Sequence, residues 1–163
     1  MSQTSLPNQP VTQLDLERYL GQWHEIAHLP MYFQRKCRDH ITATYSHLAN
    51  GQVRVVNACR THDGNVETAE GVARLCNHKA AGALEVRFAP DWLSWLPWVW
   101  ADYWVVEIDP DYGWAVVGSP SRKYLWVLSR RPTMSRVFFE AIGARASQRG
   151  YPVHKLVMAA PLD

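Results

Sequence analysis

The stretch Tyr19-Leu20-Gly21-Gln22-Trp23-His24-Glu25-Ile26-Ala27-His28 supports two incompatible readings, and the choice between them decides the fold. His24-Glu25-Ile26-Ala27-His28 matches H-E-x-x-H letter for letter. That zinc-protease pattern works only on a helix, where both imidazoles share a face and the Glu addresses the metal-bound water. Gly21 and Pro30 bracket the motif too tightly for such a helix. On a strand, His24 and His28 point one way about 13 Å apart and Glu25 the other. Two imidazoles so placed cannot share an ion, so no metal is expected, and both His are expected on an outer face.

Outward from this strand, Asp15 can cap a short helical turn, Leu16 to Leu20, which Gly21 ends. Apolar and β-branched runs fall at 22–28, 41–48, 52–60, 65–75, 83–89, 101–109, 113–118 and 124–130. Turn signals separate several of them: Asn50-Gly51, Asp63-Gly64, Ala81-Gly82 and Asp109-Pro110-Asp111-Tyr112-Gly113. Asn50-Gly51 between alternating runs is the strongest hairpin signal. In Leu84-Glu85-Val86-Arg87-Phe88 apolar and charged residues alternate, as on a half-buried strand. The period then changes. Pro132 and Thr133 open a helix expected over 133–149, with Met134, Val137, Phe138, Ala141 and Ile142 on one face, and Gly150 and Pro152 close it. A last short strand is expected at about 154–159. Consecutive short strands joined by tight turns imply an all-β up-and-down barrel or a sandwich.

The length of 163 residues suits one domain, read as 14–163 behind a flexible polar segment 1–13. A formal charge of +2 with scattered basic residues gives no nucleic-acid stripe; Arg35, Lys36 and Arg38 are read as a solvated loop. No run approaches the roughly 18 apolar residues of a membrane span. No apolar signal core and no N-terminal lipidation Cys are visible, which leaves open a cytoplasmic location or a signal removed before this numbering begins.

Eight strands followed by one helix, with Gly21-x-Trp23 opening the first strand, resembles the lipocalin family. Its three motifs can be matched in order: Gly21 and Trp23; the acidic-aromatic turn Asp109-Pro110-Asp111-Tyr112, a partial match because Ile108 and Pro110 replace the usual outer residues; and Arg130 ending Leu125-Trp126-Val127-Leu128-Ser129-Arg130. Tyr19 to Ala27 and Tyr124 to Arg130 look like the bacterial branch, whose members are outer-membrane lipoproteins. The resemblance covers roughly 14–160. It implies an eight-stranded antiparallel barrel with one helix packed outside. Trp23 and Arg130 would meet on neighbouring strands as a cation–π plug of the closed end.

With Trp23 and Arg130 inward, alternation also places Glu25, Ala27, Trp126 and Leu128 inward. Matching the family strand by strand adds Ala43, Tyr45, Val55 and Asn57. Strands five to seven then contribute Leu84, Val86, Phe88, Tyr103, Val105, Glu107, Ala115 and Val117. The expected ligand contacts are Phe33, Tyr45, Val55, Asn57, Leu84, Val86, Tyr103, Val105, Val117, Trp126 and Leu128, around one small apolar molecule with a polar end. Cys37 in the first long loop and Cys59 at the end of strand three are the expected disulfide, leaving Cys76 free. Asp91-Trp92-Leu93-Ser94-Trp95-Leu96-Pro97-Trp98-Val99-Trp100 would lie at the open mouth, as a lid, a dimer contact or a foot at a membrane surface.

The function implied by the resemblance is non-catalytic carriage of a fatty acid or lysophospholipid for membrane maintenance in the cell envelope. The chain would act as a monomer or homodimer, with no cofactor and no nucleic-acid partner. Two alternatives stand beside it: a haem or pigment carrier, and an enzyme using Glu25 or Glu107 as an internal acid on an apolar substrate. No Ser-His-Asp order or convergent acid–base pair supports the latter.

Overall fold

The computed structural model describes residues 5–31, 36–76, 80–89, 91–93, 96 and 99–163. A four-residue helix α1 (Leu16–Tyr19) leads into β1 (Gly21–His28). Asp15 caps it through its side chain, which accepts from the Arg18 N–H. Gly21 takes a left-handed φ of 100° to turn the chain into the strand. Seven further barrel strands follow: β2 (Cys37–His47), β3 (Val53–Thr61), β4 (Val66–Leu75), β5 (Ala83–Arg87), β6 (Ala101–Ile108), β7 (Trp114–Gly118) and β8 (Trp126–Ser129). Helix α2 (Arg136–Gln148) and a short β9 (Val157–Met158) complete the order.

Every adjacent pair is antiparallel, and β1 pairs with both β2 and β8, so the sheet closes into a barrel. Strand β9 pairs antiparallel with the end of β1 beyond its pairing with β2, Ala27 with Met158 and His28 with Val157. The expected Asn50-Gly51 turn joins β2 to β3, with Gly51 at φ 81°.

The core divides into an inner and an outer cluster, with a small third one of Ile41, Cys59 and Ala159 against which Cys37 packs. The inner one contains Tyr19, Trp23, Tyr45, Val55, Tyr103 and Leu128, with Val11, Leu14 and Leu16 packed against its lower edge. The outer one contains Ile26, Val106, Val116, Val127, Ile142 and Ala146 and fastens α2 to the barrel.

The helix begins three residues later than the expected start at 133. Ser135 is its cap, accepting from the Phe138 N–H, and Met134 instead bridges to Leu162. Its buried face also differs. Ile142 and Ala146 are buried with Phe139 packed beside them, whereas Val137 is 78% exposed. Several apolar stripes are available in Arg136–Ile142, and the cap fixes which of them meets the barrel. The expected last strand shortens to two residues because a 3-10 turn, Val153–Lys155, occupies its first half.

Candidate functional site

The closed end of the barrel is a plug built from all three motifs. Trp23 is fully buried, its indole N–H donates to the Tyr19 carbonyl at 2.8 Å, and the Arg130 guanidinium lies 3.7 Å from its ring centre. Arg130 also donates to the carbonyls of Arg18, Tyr19 and Leu20. It therefore serves as a charged C-cap for α1, where the helix dipole favours a cation. The same guanidinium reaches the Gln22 and Tyr112 carbonyls. In the turn, Asp109 accepts from the Gly113 N–H at 2.9 Å, and the Tyr112 hydroxyl accepts from the Asp15 N–H at 2.8 Å. Thus the partial turn motif still makes its structural connection to the helix cap.

Above the plug lies a cavity of about 540 Å³, within the range that holds one small molecule. Of the expected ligand contacts, Tyr45, Val55, Asn57, Val86, Tyr103, Val117, Trp126 and Leu128 line it. Leu84 and Val105 lie in the packed inner core instead of on the cavity wall. They sit in its lower half, where Val11 also packs and the Val11 N–H donates to the Val105 carbonyl. Phe33 lies outside the described residues. Sequence reasoning missed the contribution of β4, Glu67, Thr68 and Ala69, and that of Tyr124. Ala69 pairs laterally with Asn57, so extending the alternation across β3 would have found it.

Two expected inward positions are overturned by β-bulges, each of which inserts a residue and exchanges the faces beyond it. In β1 the register shifts between Glu25 and Ala27. Glu25 remains inward on the cavity wall, but Ala27 comes opposite Val127 of the outer cluster and His28 opposite cavity-lining Trp126. His28 is thus not on the outer face. It is 6% exposed, with Nδ1 2.9 Å from the Glu25 carboxyl. The second bulge lies between Val105 and Glu107 in β6. It turns Glu107 outward, where Arg145 of α2 and Arg149 at the helix C-cap bind its carboxyl. Glu107 therefore helps hold the helix and is not an acid inside the barrel.

At the mouth, Lys36 and Arg87 line the cavity beside Glu67 and Asp102. Lys36 pairs with Glu67 across the rim. A disulfide joins Cys37 to Cys59 with Cα atoms 5.6 Å apart, tying the start of β2 to β3, and Cys76 is free of a disulfide. Of the tryptophans of 92–100, the two described residues differ in their surroundings. Trp92 is 73% exposed, but Trp100 is 8% exposed with Arg74 stacked 3.6 Å from its ring centre. Trp95 and Trp98 lie outside the described residues.

Beneath the cavity the hydroxyls of Tyr19, Tyr103 and Tyr45 form a chain with O–O distances of 2.6 Å. Burial pushes all three above the ordinary tyrosine value. The folded chain therefore holds these protons more tightly than the unfolded one. The stability so contributed is complete below about pH 10 and is lost as pH rises from there toward the folded values. Denaturant titrations between about pH 9.5 and 11.5 should show a steeper loss for the native chain than for Tyr45→Phe. Equal slopes would contradict this assignment.

The sequence itself points to one family. Residues 14–161 match the lipocalin-like domain. Temperature-induced lipocalin-1 of Arabidopsis thaliana is 40% identical over 148 residues, 90% of this chain and 78% of that protein. Outer membrane lipoprotein Blc of Citrobacter freundii is 35% identical over 148 residues, 90% of this chain and 79% of that protein. Among solved structures, insecticyanin of Manduca sexta superposes with a TM-score of 0.70 at 18% identity, covering 96% of this chain and 86% of that one. With its closed antiparallel barrel, its Trp23–Arg130 plug and these relatives, the chain belongs to the lipocalin family.

Proposed function

We propose that the chain carries one fatty acid or lysophospholipid in its barrel, without chemical change, and serves membrane maintenance in the cell envelope. The observation that carries this reading is the one-ended shape of the site. The cavity is plugged below by Trp23 and walled by Val55, Val86, Val117 and Leu128. It opens above on a rim with both signs of charge, Lys36 and Arg87 with Glu67 and Asp102. An apolar chain gains by leaving water for such a wall, roughly 0.8 kcal/mol per buried methylene. The rim suits either a carboxylate or a zwitterionic phosphate headgroup. Similarity to the outer membrane lipoproteins supports the envelope as the place of action.

Organic extraction of protein isolated from its own cells, followed by mass spectrometry, should yield about one fatty acid or lysophospholipid per chain. An empty barrel whose tryptophan fluorescence also stays unquenched by added fatty acid and lysophospholipid would overturn the proposal.

A further inference from the structure

The lower part of the cavity is polar although much of its wall is apolar. Tyr45 and Tyr103 line it and are 6% and 8% exposed, while Tyr19 lies behind them at 1%. Their three hydroxyls carry three protons, and the two O–O contacts use two of them. No other hydrogen bond to these hydroxyls exists among the described residues. Because Tyr19 does not face the cavity, the least costly arrangement has Tyr19 donating to Tyr103 and Tyr103 to Tyr45. The third proton then points from Tyr45 into the cavity. A buried donor left unpaired is costly. Asn57 lines the same space, and no described residue hydrogen-bonds its side-chain amide. Glu25, held beside His28, completes this polar layer.

We propose that the cavity is built for a long-chain lipid bearing a second polar group, a hydroxyl, at its buried end. This inference rests on the carrier reading above and names the substrate class within it. A hydroxyl can accept the Tyr45 proton and donate its own to the Asn57 carbonyl oxygen, so one group satisfies both partners. A carboxylate lowered to this level would leave the cations Lys36 and Arg87 of the rim and give up its hydration between apolar walls, which is costly. The acid end therefore stays at the rim with Lys36 and Arg87, and the hydroxyl lies at the floor.

The test is calorimetric titration of the full chain with hexadecanoic acid and with 16-hydroxyhexadecanoic acid. The hydroxy acid should bind about fivefold tighter, because its two hydrogen bonds must first offset the desolvation of the hydroxyl and one bond alone roughly cancels that cost. In Tyr45→Phe the ratio should fall to within about twofold. Asn57→Leu, which leaves the tyrosine chain intact, provides the same ratio test should Tyr45→Phe fail to fold. Equal affinities in the native chain, or a preference that survives loss of either partner, would overturn this inference and leave the carrier reading standing. Failure of both acids to bind would overturn both.

Discussion

Replacing Trp23 with Ala is expected to lower the unfolding free energy by about 3–5 kcal/mol, the usual cost of deleting a buried aromatic side chain. The melting temperature of a chain this size should fall by roughly 10 °C. The indole is fully buried and joins α1 to the end of β8. Its N–H holds the Tyr19 carbonyl, Tyr19 packs beside it with ring centres 5.1 Å apart, and Arg130 covers its face. Removing it leaves a void under the cavity and takes away the surface on which the guanidinium rests. The cost should therefore exceed the transfer term alone, because Arg130 is fixed by the carbonyls at the end of α1 and cannot follow the retreating wall. Thermal melting of Trp23→Ala beside Trp23→Phe would measure this, with Phe recovering part of the loss. A change under about 1 kcal/mol in the Ala variant would mean the plug is not the clasp of the barrel.

The plug was legible in the sequence through the family resemblance, which rests on three short motifs met in order. Gly21 supplies the one backbone conformation the turn needs, and Trp23 and Arg130 fall on strands that closure makes neighbours. The hairpins were legible in local turn signals, Asn50-Gly51 above all. Cavity walls follow from alternation, and alternation holds only while the register holds. At Ile26 and Val106 neither Gly nor Pro announces a bulge. Bulges there answer the demands of a twisted, closed sheet, which are properties of the whole barrel. Everything beyond them on the same strand changes face. Ala27, His28 and Glu107 therefore lie on the faces opposite to those that strict alternation implies, and the Glu25–His28 pair that results is invisible in H-E-x-x-H read as a uniform strand. The helix face failed differently, because Val137, Phe138 and Phe139 offer competing stripes and tertiary packing chose among them.

Filling the cavity should separate binding from folding. Ala43 lines the cavity, opposite Trp23 on one side and Asn57 on the other, and is only partly buried because part of its surface faces that space. Ala43→Phe would put a ring where the lower chain of a bound fatty acid lies. Displacing about four methylenes from an apolar wall costs roughly 3 kcal/mol of binding, or on the order of 100-fold in affinity. The fold should tolerate the ring better than a packed core would, since the added volume enters open space, whereas overpacking a filled core costs typically 1–3 kcal/mol. Thr44→Phe is the control. Thr44 pairs with Gln22 and Val56 on the opposite face of the same strand, so its affinity should stay within about twofold of the native chain. Calorimetric titration with hexadecanoic acid reads both. A native affinity in Ala43→Phe would mean that the lipid binds somewhere other than the barrel interior. An equal loss in Thr44→Phe would trace the effect to a damaged strand.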